Sequence, residues 1–137
     1  MTLASITSDI IDETAVRQRL GFDGAGAVLT FAGTVRNHHL GREVTEIHYH
    51  AYEGMAEKEL ARIESEATRR WPQVRMEIVH RIGVLEIGAT SVLIAVASPH
   101  RDEGFQALRF GIEAIKESVP IWKKEIYLDG HAWLEGS

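Results

Sequence analysis

The chain has 137 residues, 45% of them hydrophobic, enough for one domain with its own core and too few for two ordinary ones. Twenty Asp and Glu outweigh fifteen Lys and Arg for a net charge of −5, which argues against a surface built to bind nucleic acid or an anionic membrane. Cysteine is absent, which excludes disulfides, thiolate metal sites, iron–sulfur clusters and a cysteine nucleophile, so any sulfur handled here must arrive on another molecule.

The N-terminal stretch MTLASITSDIIDE has no basic and then apolar leader pattern. The longest apolar run, residues 92–97, holds six residues, where a spanning helix needs about 20. A cytoplasmic protein is expected. Residues 4–8 read as a short strand. Asp12 offers an N-cap, Glu13 a first-turn negative charge and Gly21 a stop, framing a helix with Ala15, Val16 and Leu20 on its apolar side. Residues 25–35 (AGAVLTFAGTV) are strand-like, and Gly26 and Gly33 point to a bulge or a close backbone approach. Residues 37–42 (NHHLGR) read as a loop.

Residues 44–52 are rich in β-branched and aromatic side chains and read as strand. Residues 55–71 are the clearest helix, with Ala56, Leu60, Ile63 and Ala67 in one stripe. Residues 74–82 alternate, placing Val74, Met76, Ile78, His80 and Ile82 on one face. Gly83 and Gly88 bracket a turn region, and residues 91–98 (SVLIAVAS) form a buried strand. A second long helix is expected over 100–118 with Phe105, Leu108, Ile112 and Ile115 inward, then a last strand over 121–128 and a tail with Trp133. The order mixes adjacent strands with helices, which predicts an α+β fold: one domain over 1–137, a mostly antiparallel mixed sheet and two long helices.

Three stretches carry chemistry. In S-P-H-R-D-E, Ser98 fits an N-cap and Pro99 the first helical position, so His100 and Arg101 fall in the first turn. Free N–H groups, the helix dipole and a cationic pair there suit phosphate or carboxylate; an ordinary surface ion pair is the plainer reading. In K-E-S-V-P-I-W-K-K-E, Pro120 ends the helix near Ser118. Lys116 then sits at a helix C-terminus and Lys123 on the next strand, and the chain reversal lets the two ammonium groups converge. Desolvation and a neighbouring cation lower a lysine pKa and make the amine a usable base or nucleophile. Dipole complementation and edge protection are the structural alternatives. In G-T-V-R-N-H-H, Arg36 stands at a strand-to-loop transition, a common place for ligand contacts. His38 and His39 are adjacent and make a poor ligand pair. His48 and His50 share a strand face, but no third or fourth ligand is near in sequence. Phosphate-loop, dinucleotide, serine-hydrolase and zinc-protease motifs are all missing.

Taken in series, F-A-G-T-V-R-N-H (31–38), Y-E-G-M-A-E-K-E-L (52–60), H-R-I-G-V-L (80–85), S-P-H-R (98–101) and V-P-I-W-K-K-E (119–125) resemble the family of large, catalytic subunits of molybdopterin synthase, MoaE. Thr34 stands where a lysine is common in that family, and Ala89 where an acidic residue is usual. The resemblance implies an α/β hammerhead fold. It implies conversion of cyclic pyranopterin monophosphate to molybdopterin, with two dithiolene sulfurs taken from the thiocarboxylated C-terminal glycine of a small ubiquitin-like, MoaD-like carrier. It also implies a homodimer of this subunit within a heterotetramer. No cofactor, metal, nucleic acid or membrane is expected. Lys116 and Lys123 become the catalytic pair. Thr34, Val35, Arg36, His100, Arg101, Lys124 and Glu125 become substrate-binding residues. The competing readings are a non-catalytic anion-binding module at His100 and Arg101, and a metal hydrolase built on His48 and His50.

Overall fold

The structure is a computed structural model and describes residues 3–135. The elements run β1 (Ser5–Thr7), α1 (Glu13–Leu20), β2 (Ala27–Thr34), β3 (His38–His39), β4 (Arg42–Ala51), α2 (Glu53–Arg70), β5 (Arg75–Arg81), β6 (Gly83–Glu86), β7 (Thr90–Ser98), α3 (Arg101–Ser118), β8 (Ile121–Tyr127) and β9 (Gly130–Glu135). The expected α+β class holds, with the strands divided between two sheets. In the first, the order is β1-β5-β7-β2, parallel only between β1 and β5. In the second, β8 and β9 lie on one side of β4, while β3 and β6 pair with its other edge.

The first sheet is covered on both faces. Val92, Ile94 and Val96 of β7 join Met76 and Ile78 of β5 against Ala56, Leu60, Ile63 and Ala67 of α2 and Ala107 and Ile115 of α3. Leu93, Ala95 and Ala97 face the other way with Val79, against Val16 and Leu20 of α1. Strand β5 is therefore buried on both faces rather than on one: Glu77 and Val79 are as enclosed as Met76 and Ile78. Burying Glu77 is tolerable because Arg19 of α1 forms a bidentate pair with it.

Other expectations change as well. The polar stretch 37–42 contains β3 and the start of β4, the Gly83–Gly88 region contains β6, and the tail forms β9. Helix α3 begins one residue later than expected, with His100 at the N-cap and no side-chain cap. Ser98 is instead the last residue of β7, and its hydroxyl donates to the His100 carbonyl at 2.6 Å. The buried face of α3 is also rotated, to Gly104, Ala107, Gly111 and Ile115, and leaves Phe105 exposed. No helix among the described residues is long and apolar enough to cross a membrane.

Candidate active site

The C-terminus of α3 sets the geometry. The helix ends on Val119, whose N–H donates to the Ile115 carbonyl at 3.2 Å while its own backbone is extended. Pro120 then turns the chain into β8. Lys116 is left in the last turn of α3, and Lys123 enters the inner face of the second sheet, directly across from Tyr49 of β4. Arg36 arrives from β2. The β2–β7 register shifts between Gly33 and Thr34, and a side chain at Gly33 would lie 2.8 Å from a Val92 methyl. Val35 is held just beyond by backbone bonds to Ala89 (2.9 Å) and Gly88 (2.7 Å), so Arg36 leaves the strand at a fixed point.

These elements enclose a cavity of about 360 Å³ between the β2 edge of the first sheet, the end of α3 and the inner face of the second sheet. Thr34, Arg36, Lys116 and Lys123 line it, with Phe31, Ile94 and Ile112 as apolar wall. Sequence reasoning missed Tyr49 and Ser91, which also line it. Tyr49 had a usable signal, as it lies on a strand beside a lysine-bearing strand; the Ser91 position depends on a packing of sheets that no local pattern encodes. A larger cavity, about 620 Å³, opens beside α1, α2 and β5. Its ionisable groups are already engaged: Arg19 with Glu77, Arg75 over the Phe22 ring, and Glu64 with the backbone N–H groups of Leu3, Ala4 and Ile78.

The smaller cavity is electrostatically distinctive. Burial lowers the Lys123 pKa, Arg36 and Lys116 lower it further, and Glu125 pulls it back up. Tyr49 is pushed upward by its burial. Its ring packs edge-on against His80, with centroids 5.4 Å apart. His80 is fully enclosed and is held down to about 4, chiefly by burial, so it adds no fourth positive charge beside the three cations. A chain of net charge −5 thus carries a local basic pocket with a partly desolvated amine.

The other expected residues stand elsewhere. Val35 is a core residue. Lys124 faces the opposite side of β8, its ammonium 5.4 Å from the Trp133 ring centroid. Glu125 shares the inner face with Lys123 but is 3% exposed, bound by His39 and Tyr127. His100 and Arg101 are exposed at the far end of α3, about 22 Å from Lys116 at 1.5 Å per residue. His48 and His50 have other neighbours: His48 stands 3.3 Å from Glu46, and His50 packs on Trp133. No group of three or more metal-ligating side chains gathers among the described residues.

Comparison with known proteins places this architecture. A family model described as MoaE protein matches residues 6–118. A relative from Halalkalibacterium halodurans named molybdopterin synthase catalytic subunit is 52% identical over 110 residues, covering 80% of this chain and 70% of that protein. A crystal structure of molybdopterin synthase from Staphylococcus aureus superposes with a TM-score of 0.93 at 44% identity, covering 98% of each chain. A Helicobacter pylori structure, a complex of subunits 1 and 2 of molybdopterin-converting factor, superposes at 0.80 with 20% identity over 96% of this chain and 90% of that one, a likeness of fold alone. The family match spans well over half of the chain, and the protein belongs to the MoaE family.

Proposed function

We propose that this chain is the catalytic subunit of a molybdopterin synthase, a sulfurtransferase that builds the dithiolene of molybdopterin on cyclic pyranopterin monophosphate. The observation that carries this reading is the convergence of Arg36, Lys116 and Lys123 on one partly apolar cavity. Two anions must meet in such a reaction, a phosphate-bearing pterin and a thiocarboxylate. Three cations in a desolvated site hold both, and they stabilise charge that moves between them. The apolar wall suits the flat pterin. The family resemblance supplies the substrate and the names of the relatives the product; the cations and apolar wall of the cavity support binding there.

The sulfur donor is the C-terminal thiocarboxylate of a small ubiquitin-like carrier. Each carrier tail brings one sulfur, so two tails serve one pterin. A second, smaller hollow of about 190 Å³ adjoins Lys116 and is lined by Val119, Pro120, Trp122 and Glu135. Lys116 borders both hollows, which suits it to stand where tail and pterin meet. Lys123, with its lowered pKa, is the acid–base group. His100 and Arg101 cannot reach this cavity within one copy. If they bind the same substrate, the N-terminus of α3 from a second copy brings them, which is the role of the homodimer in this reading.

Lys116→Ala tests the assignment. Turnover with thiocarboxylated carrier should fall at least about 100-fold, while the circular dichroism spectrum and carrier binding stay as in the wild type. Wild-type turnover in this variant would overturn it. Mixing Lys116→Ala with Arg101→Ala protomers should restore activity only if the two residues serve one site from different copies.

A further inference from the structure

The Glu125 carboxylate is nearly closed off from water, yet two donors from different places converge on it. His39 Nδ1 lies 2.8 Å from Oε1 and 2.9 Å from Oε2, and the Tyr127 hydroxyl donates to Oε1 at 2.6 Å. Tyr127, Glu125 and Lys123 are two residues apart along β8 and project from the same face. Glu125 thus takes the next position to Lys123 on the inner face of β8. His39 is delivered by the β3–β4 hairpin, whose tip, Leu40 and Gly41, has φ of 51° and 77°. Both residues are left-handed, as a two-residue hairpin of this type demands, and a leucine there is strained. Two contacts hold the hairpin down: His39 on Glu125, and Arg42, which stacks 3.8 Å from the Tyr127 ring centroid and bonds Asp129 at 2.8 Å.

We propose that His39 and Tyr127 are positioning residues for the Lys123 amine: they keep the enclosed Glu125 carboxylate ionised and fixed, so that Lys123 has a permanent counter-charge among the other cations of the site. The proposal rests on the reading that Lys123 acts in the reaction. The groups that face Lys123 are Glu125 on its own strand, Arg36 beyond β2, Lys116 on α3, and the neutral His80 of β5 behind Tyr49 of β4. Of these only Glu125 is negative. A buried carboxylate without donors takes up a proton, because burial disfavours its charge. Here burial is outweighed by the hydrogen bonds from Tyr127 and His39 together with the nearby positive charge of Lys123, and the Glu125 pKa is lowered from its ordinary value. Without those hydrogen bonds the carboxylate is no longer fixed beside the amine, Lys123 faces Arg36 and Lys116 with less compensation, and the amine gives up its proton at lower pH.

The test needs neither pterin nor carrier. In full-length protein with 13C-labelled lysine, the Lys123 signal is assigned by its loss in Lys123→Arg, and its titration midpoint is followed by NMR. Tyr127→Phe removes one donor and keeps the ring under Arg42. His39→Leu removes the other, and His39→Asn keeps an N–H near the position of Nδ1. The midpoint should fall by roughly half a pH unit or more in His39→Leu with Tyr127→Phe, about a threefold change in proton affinity. Tyr127→Phe alone should shift part of the way, and His39→Asn should restore most of the His39→Leu loss. An unchanged midpoint in Tyr127→Phe and in the double variant, or equal shifts in His39→Asn and His39→Leu, would overturn the proposal. A wild-type protein that makes no dithiolene would sink the functional reading and leave this result standing.

Discussion

Lys123 and Lys124 are neighbours in sequence and point to opposite faces of β8, one into the cavity and one onto Trp133. The pair makes a sharp contrast at the level of single residues. Lys123→Ala should lower turnover by about 100-fold or more, as loss of an acid–base group does. Lys124→Ala should stay within roughly threefold of wild type, because it removes one exposed cation–aromatic contact worth about 0.5–1 kcal/mol. Equal losses in the two variants would contradict the assignment. The Lys116 and Lys123 positions were legible because Pro120 breaks the chain between them and forces a reversal. The facing of Glu125 was not. Its partners, His39 and Tyr127, lie 86 residues away and two residues away, and no local pattern joins a polar loop histidine to a strand carboxylate.

Among the elements, α2 was read correctly down to its stripe: Ala56, Leu60, Ile63 and Ala67 are all fully buried. In α3 the large apolar residues suggested one face and the structure buries another, next to it. Small residues decide the packing: a methyl at Gly104 would stand 2.7 Å from both Leu29 Cδ1 and the Ser98 hydroxyl. At Gly111 the nearest atom would be the mobile end of Met76, 3.2 Å away. Gly104→Ala should therefore destabilise by about 1–3 kcal/mol. Gly111→Ala should lie near neutral, since the gain in helix propensity, about 1 kcal/mol, offsets a small repacking. Urea midpoints with unchanged slopes would check both; a neutral Gly104→Ala would contradict the close approach of α3 to the sheet. Strands β3, β6 and β9 escaped the sequence because they are short, partly polar and exposed. Their existence depends on the edges of β4 and β8, which long-range pairing creates.

At the scale of the whole molecule, two buried groups oppose each other in acid. Burial raises the Glu64 carboxyl from 4.5 to about 7, against the three backbone N–H groups that bind it. The folded state then keeps a proton that the unfolded chain releases, so this contribution is full below pH 4.5 and is lost as pH rises to about 7. His80 runs the other way. Its folded value near 4 lies below 6.5, so its contribution is full above pH 6.5 and is lost as pH falls toward 4. Each shift corresponds to a few kcal/mol, on the order of 3, across its window. Between pH 4.5 and 6.5 the two slopes nearly cancel. Glu64→Gln should therefore make the melting temperature drop as pH falls through that window, and His80→Leu should make it rise. Parallel curves in wild type and both variants would contradict this balance.

The absence of cysteine from the whole chain bears on mechanism at the same scale. In the proposed reaction, a chain without a thiol cannot carry sulfur as its own persulfide. It can supply only the cavity, the cations and the alignment of a partner's tail with the substrate. Reconstitution tests that claim most directly. Purified protein is mixed with the thiocarboxylated small subunit and cyclic pyranopterin monophosphate, and dithiolene product and the carrier's C-terminus are followed together. The expected products are molybdopterin and two carriers converted from thiocarboxylate to carboxylate for each pterin. Carriers that keep their sulfur in the presence of bound pterin, with no dithiolene formed, would contradict it.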